Sequence, residues 1–156
     1  MINVAVAADR VRVPVSAARV RAVAERVLRA EGVDEALVSI AFVTPRAIAR
    51  LNRTHLGHRG PTDVISFAFA PAQARTRARR SAPVSSAVVG DVYIAPAVAR
   101  QNARRWGVGV RRELARLVVH GVLHVIGYVH PDENRVVSPM WERQEALLRR
   151  LGALAR

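Results

Sequence analysis

Three of the five histidines in this 156-residue chain fall within one short stretch, His120, His124 and His130. His120 and His124 are four residues apart. On a helix that spacing puts both side chains on one face, about 6 Å apart, so two imidazoles can converge on one ion. Gly127 follows, a residue that can adopt the left-handed conformation that ends a helix and turns the chain back. Beyond that turn His130 can reach the same ion. A lone His-x-x-x-His pair is more often structure or chance than a ligand pair. The third histidine, delivered after a well-placed glycine, changes that balance. The three describe a zinc site with an open fourth position, whereas a structural site is closed by a fourth protein ligand. Three neutral imidazoles leave the ion's charge intact, so water at the open position is acidified to a pKa of about 7, and hydrolysis is the implied chemistry. One Zn2+ is the expected cofactor; nickel or another divalent transition metal suits the same ligands.

Two hydrolytic readings compete. His-x-x-x-His-x-x-Gly-x-x-His is also the ligand spacing of the metzincin proteases, and Met140 lies downstream. That chemistry needs a glutamate directly after the first histidine as general base, and the chain has Gly121 there. In phosphodiester hydrolysis, by contrast, a metal polarises the phosphate and a positioned arginine stabilises the developing charge.

The elements that must position these ligands can be read from periodicity. Leu117, Val118, Val119, Val122, Leu123, Val125 and Ile126 make an apolar helix from about Val110 to Ile126 that would bury itself and hold the histidines rigidly. Residues 2–8 read as a first strand. Ser16 caps a helix over 17–31, with Val20, Val23, Ala24, Val27 and Leu28 as its stripe and Gly32 as its stop. Residues 37–43 form a second strand, and Thr44-Pro45 opens a helix carrying Ile48 and Leu51 that ends near Gly57. A polar turn leads to a third strand, Val64 to Phe69. Residues 71–86, with four arginines, read as a mobile hairpin connection to a fourth strand, Val88 to Ile94. Pro96 starts a helix that ends near Gly107 or Gly109. Ser138-Pro139 starts the last, with Met140, Ala146, Leu147, Leu148 and Leu151 as core candidates. This order predicts an α+β fold: a small mixed four-stranded sheet with helices packed on it, as a single domain.

Composition narrows the partners. With no cysteine, coordination falls to histidine and carboxylate. The formal net charge is +13, and all 25 basic residues are arginine against 12 acids. A GC-rich genome explains arginine in place of lysine, but not the excess of bases over acids. That excess favours a polyanion, with nucleic acid ahead of an acidic membrane. The apolar start of the chain is too short to span a membrane and has no basic residues before it, so a cytoplasmic protein is expected.

The segment His120-Gly121-x-Leu123-His124-x-x-Gly127-Tyr128-x-His130 resembles the signature of the YbeY family, bacterial metal-dependent endoribonucleases. Leu51-Asn52 with Arg59-Gly60-x-Thr62-Asp63-Val64-x-Ser66-Phe67 resembles a second block of that family, and Gly90-Asp91-Val92-x-Ile94 a third. Met140 with Glu142 or Glu145 matches its C-terminal helix less specifically. The resemblance covers almost the whole chain and implies that residues 1–156 form one such metallohydrolase domain. It implies zinc on His120, His124 and His130, and Arg59 as the catalytic and substrate-binding arginine at the scissile phosphate. It also implies cleavage of single-stranded RNA, 16S ribosomal RNA 3′-end maturation and ribosome quality control. The expected partners are ribosomal RNA and the ribosome or its small subunit, with neither DNA nor membrane. Thr62, Asp63 and Ser66 are expected to build the turn and strand that aim Arg59, and Asp91 to be structural, bonding backbone or a ligand histidine. His55 and His58 are expected at the surface.

One position departs from the family pattern: Val129 stands where an aspartate usually precedes the third histidine. Asp132 or Glu133 could take over its role from the same loop. The expectation is that metal still binds and that cleavage persists at a reduced level or with an altered pH dependence. The rival outside enzymology is a ribosome-associated RNA-binding or assembly factor whose metal is mainly structural.

Overall fold

The computed structural model describes residues 1–69, 87–130 and 138–156. The expected hairpin connection over 71–86, with its four arginines, and the substitute carboxylates Asp132 and Glu133 lie outside them. Four strands, β1 (Ile2–Ala8), β2 (Ala36–Phe42), β3 (Val64–Ala68) and β4 (Val88–Ile94), form one sheet in the order β1-β2-β4-β3. β1 pairs parallel to β2 and β2 parallel to β4, while β3 runs antiparallel to β4. Five α-helices are found among the described residues: α1 (Ala17–Ala30), α2 (Pro45–Leu51), α3 (Pro96–Trp106), α4 (Val110–Ile126) and α5 (Pro139–Leu151). The α+β fold with a mixed four-stranded sheet is therefore as the sequence predicts.

Alternation in the strands divides the core in two. Val38, Ile40 and Phe42 of β2, with Val88, Val92 and Ile94 of β4, are buried on one face under α1 and α4. Residues of opposite parity, Ala41, Tyr93, Ile65 and Phe67, meet Ile48 of α2 in a smaller cluster on the other face. α4 is buried almost all round, because the sheet lies on one side and α1, α3 and α5 on the others. Its closest approach to the sheet needs glycine on both partners. A Cβ on Gly121 would lie 2.5 Å from Val92 Cγ1, and one on Gly90 would lie 2.5 Å from Val125 Cγ1. A glutamate at position 121 has no room, which gives a packing reason for the residue that argued against a protease.

Caps fall where the sequence places them. Ser16, Thr44 and Ser138 each accept a hydrogen bond from the backbone N–H three residues on. One element differs. The expected continuous helix to Gly57 is α-helical only to Leu51, and Asn52–Leu56 form a wider π-type turn before Gly57 at φ 68°. The buried Asn52 side chain accounts for this: its amide donates to the Gly60 carbonyl at 3.0 Å and ties down the loop that follows. Of the core candidates on α5, Met140, Leu147 and Leu151 are buried, while Ala146 and Leu148 are half-buried.

Candidate metal centre

α4 ends as its sequence demands. Gly127 has φ 118°, its N–H bonds the carbonyls of Leu123 and His124, and Tyr128 N–H returns to Leu123 O at 3.0 Å. That reversal carries His130 back over the helix face. Ring centroids lie 4.7 Å apart for His120 and His124, 5.3 Å for His120 and His130, and 4.8 Å for His124 and His130. One ligand nitrogen from each lies within 4.8 Å of the others, a group that could hold a metal ion.

Hydrogen bonding fixes which nitrogens face inward. His124 Nδ1 is 2.9 Å from the Tyr128 carbonyl, which only accepts, so Nδ1 carries the proton. His120 Nδ1 is 2.8 Å from Gln144 Oε1, and the Gln144 amide nitrogen faces Glu145 Oε1 at 3.4 Å, which orients the amide. Both Nε2 atoms then present lone pairs to each other across 3.1 Å. Two acceptors at that distance repel unless a proton or a metal ion lies between them. Tetrahedral zinc with Zn–N bonds of about 2.0–2.1 Å sets its nitrogens about 3.3 Å apart, so the donor set fits the ion.

A second layer reaches deeper. Tyr128 is buried, and its hydroxyl donates to Glu31 Oε2 at 2.6 Å. Glu31, itself buried, also accepts from Arg143 Nε, while Arg143 Nη2 donates to the Ala30 carbonyl at 3.2 Å. Neighbouring residues of α5 therefore serve both helix histidines: Gln144 touches His120, and Arg143 is linked to His124 through Glu31 and Tyr128. Sequence reasoning named Glu142 and Glu145 on this helix and missed Gln144. The available signal was its place in the stripe Met140, Gln144, Leu147, Leu151, where a polar residue interrupts an otherwise apolar face.

His120 and His130 open onto a cleft of about 560 Å³ between α3, α4 and α5, lined also by Asp63, Val64, Trp106 and Trp141 among others. Its ionic groups are largely committed. Arg116 donates to Glu113 at 2.9 and 2.6 Å. Burial works to lower the Arg116 pKa, but its hydrogen bond to Glu113 and the attraction of Glu113, Asp63 and Glu145 hold it above its usual value. Asp63 accepts from Val64 N–H at 2.8 Å and from Asn102 Nδ2 at 3.1 Å, the turn-building role expected of it. Ser66 Oγ donates to the Gly121 carbonyl at 3.1 Å and joins β3 to the histidine helix.

Other expected residues are placed less directly. Arg59 is exposed in the loop before β3, without a hydrogen-bond or ion-pair partner among the described residues. The loop's far end, Asp63 and Val64, reaches the cleft. Asp91 does not bond a histidine among the described residues. It points to the sheet face opposite α4, where the Tyr93 hydroxyl donates to it at 3.5 Å. There burial, then the Asp91 charge and hydrogen bond, raise the Tyr93 pKa. His55 and His58 are exposed as expected, with His55 edge-on to Phe67. Val129 is 69% exposed.

Fold and site define an α+β protein with a pre-oriented three-histidine pocket at the end of a buried helix. The family model described as Endoribonuclease YbeY matches residues 5–152. Among proteins described as Endoribonuclease YbeY, the one from Moorella thermoacetica is 41% identical over 79% of this chain and 78% of its own. The one from Geobacter metallireducens is 34% identical over 96% and 98%. The one from Frankia casuarinae is 38% identical over 83% of this chain, and the match spans 65% of that protein. A solution structure from Thermotoga maritima shares the fold, with a TM-score of 0.57 at 22% identity, covering 94% of this chain and 87% of that one. The chain belongs to the YbeY endoribonuclease family. No helix among the described residues is long and apolar enough to cross a membrane.

Proposed function

We propose that residues 1–156 act as one zinc-dependent endoribonuclease domain that cuts single-stranded RNA. Its place of action would be the cytoplasm, in 16S ribosomal RNA 3′-end maturation and ribosome quality control, with the ribosome or its small subunit as partner. The facing Nε2 lone pairs of His120 and His124, 3.1 Å apart with both Nδ1 protons already committed, carry this reading. His120, His124 and His130 hold the ion. A zinc ion there supplies Lewis-acid polarisation of the phosphodiester and acidifies water.

The chain's own residues do the rest. Gln144 and the Tyr128 carbonyl keep the ligand tautomers fixed before substrate arrives, so that no reorganisation is needed during the reaction. Arg59, a solvated guanidinium at the loop that ends in the cleft, binds the scissile phosphate and offsets charge that develops on it. Family membership and the surplus of arginine over acids support RNA as the polyanion.

The test is cleavage of a single-stranded ribosomal RNA fragment by the zinc-loaded chain, with and without chelator. Chelation or His124→Ala should reduce cutting to background, and Arg59→Ala should reduce kcat by roughly 10²–10³, the usual effect of losing one charge-stabilising donor. Undiminished cleavage by a metal-free preparation would refute the hydrolytic mechanism. Absent cleavage with RNA binding intact and zinc fully loaded would make the protein an assembly factor instead.

A further inference from the structure

From the cleft beside the histidines we infer a base-stacking subsite for single-stranded RNA, with Trp106 as its main platform and Trp141 as its second. The inference rests on the endoribonuclease reading and adds to it a way of choosing substrates. Trp106 is the last residue of α3, followed by Gly107 at φ 64°, and its large apolar side chain is 64% exposed. Trp141 stands in the first turn of α5, where its backbone N–H bonds Ser138 Oγ at 3.1 Å. Its indole is half-buried. Both indoles line the same cleft as His120 and His130.

The polar chemistry of the cleft selects bases over phosphates. Glu113 and Arg116 neutralise each other, and Asp63 is taken up by Asn102 and the Val64 N–H. Arg112 is the cleft-lining guanidinium left without a partner among the described residues. Apart from Arg112, Glu145 and the histidine edge, what remains inside is mainly aromatic and apolar surface. Outside, Arg104 and Arg105 directly precede Trp106 and are exposed, without a hydrogen-bond or ion-pair partner among the described residues. A strand whose phosphates follow these arginines can place successive bases against the indoles, the arrangement that single-strand binders use. A duplex keeps its bases stacked within itself and cannot do so. Preference for single strands thus follows from the cleft rather than from the metal.

The experiment compares the zinc-loaded wild type with Trp106→Ala, Trp106→Phe and Trp141→Ala. Each is titrated with a fluorescein-labelled single-stranded RNA decamer, the same decamer carrying abasic sites, and its duplex; melting temperature and steady-state cleavage are measured alongside. Trp106→Ala should weaken binding of the intact single strand about 5- to 150-fold, the equivalent of one lost base stack. The loss should appear mainly in KM, Trp106→Phe should recover most of it, and Trp141→Ala should show a smaller loss. The abasic strand should bind wild type at least as weakly as the intact strand binds Trp106→Ala, because it loses the stack on Trp141 as well. Unchanged affinity in Trp106→Ala with cleavage intact would overturn the subsite and leave the nuclease reading standing. Equal weakening for duplex and single strand, or no rescue by phenylalanine, would also overturn it. A wild type that neither binds nor cuts RNA would remove both readings, and binding of a protein partner or a second copy to Trp106 would then explain its exposure.

Discussion

At the scale of single residues the site depends on groups that never touch substrate. Gln144 is fully buried and spends its carbonyl on His120 Nδ1. Gln144→Ala should leave His120 free to change tautomer or rotate, lowering zinc affinity roughly 10- to 100-fold, as removal of outer partners of metal ligands does. Gln144→Glu keeps an acceptor at the same place and should retain affinity. Competition with a calibrated chelator measures both, and equal affinities for Gln144→Ala and wild type would show that His120 needs no such support. The three-histidine group was legible because its chemistry and local spacing coincide, four residues along a helix and then a glycine turn. Gln144 sits 24 residues from its partner, and only its polar intrusion into an apolar stripe hinted at it. Asp91 makes a structural bond, to the Tyr93 hydroxyl rather than to a histidine. Its neighbours Gly90 and Val92 face α4, so parity alone turns Asp91 away from the histidines.

At the scale of elements the decisive contact is α4 lying on β3 and β4. Periodicity showed the helix, and the glycine turn showed its end, yet the depth to which it sinks into the sheet was invisible until Gly121 and Gly90 were seen to meet their neighbours. Gly121→Ala would force a Cβ to within 2.5 Å of Val92 Cγ1 and 3.2 Å of Ser66 Oγ. Alanine is the better helix former, by about 1 kcal/mol in an open helix. Overpacking costs about 1–3 kcal/mol, and here it should match or exceed that gain. The expected result is a lower melting temperature, together with weaker zinc binding as the histidine face shifts. A higher melting temperature would mean that the sheet gives way easily and that the close approach is incidental. The same scale explains the π-type turn after α2. Local pattern favoured an unbroken helix, and the buried Asn52, bonded eight residues ahead to Gly60, overrode it.

At the scale of the whole molecule, the proposed function divides the work: charge draws RNA in, and the cleft holds its bases. A formal charge of +13 made entirely of arginine gives long-range attraction for a polyanion. The sequence showed that total, but not that Arg116 is locked to Glu113 while Arg104, Arg105 and Arg112 remain unpaired among the described residues around Trp106. Binding of single-stranded RNA should therefore weaken steeply with salt. With three to five phosphates engaged, log affinity against log salt should have a slope of about −2 to −3.5, since each phosphate contributes about −0.7 on a single strand. Replacing Arg104, Arg105 or Arg112 by alanine should reduce the slope by about 0.7 each, whatever the base sequence. Trp106→Ala should lower affinity at every salt concentration and leave the slope unchanged, because stacking releases no counterions. Titration across several salt concentrations separates the two effects. A slope near zero in the wild type would mean that the arginine surplus does not engage the strand, and a slope altered by Trp106→Ala would mean that the indole acts by placing phosphates rather than by stacking bases.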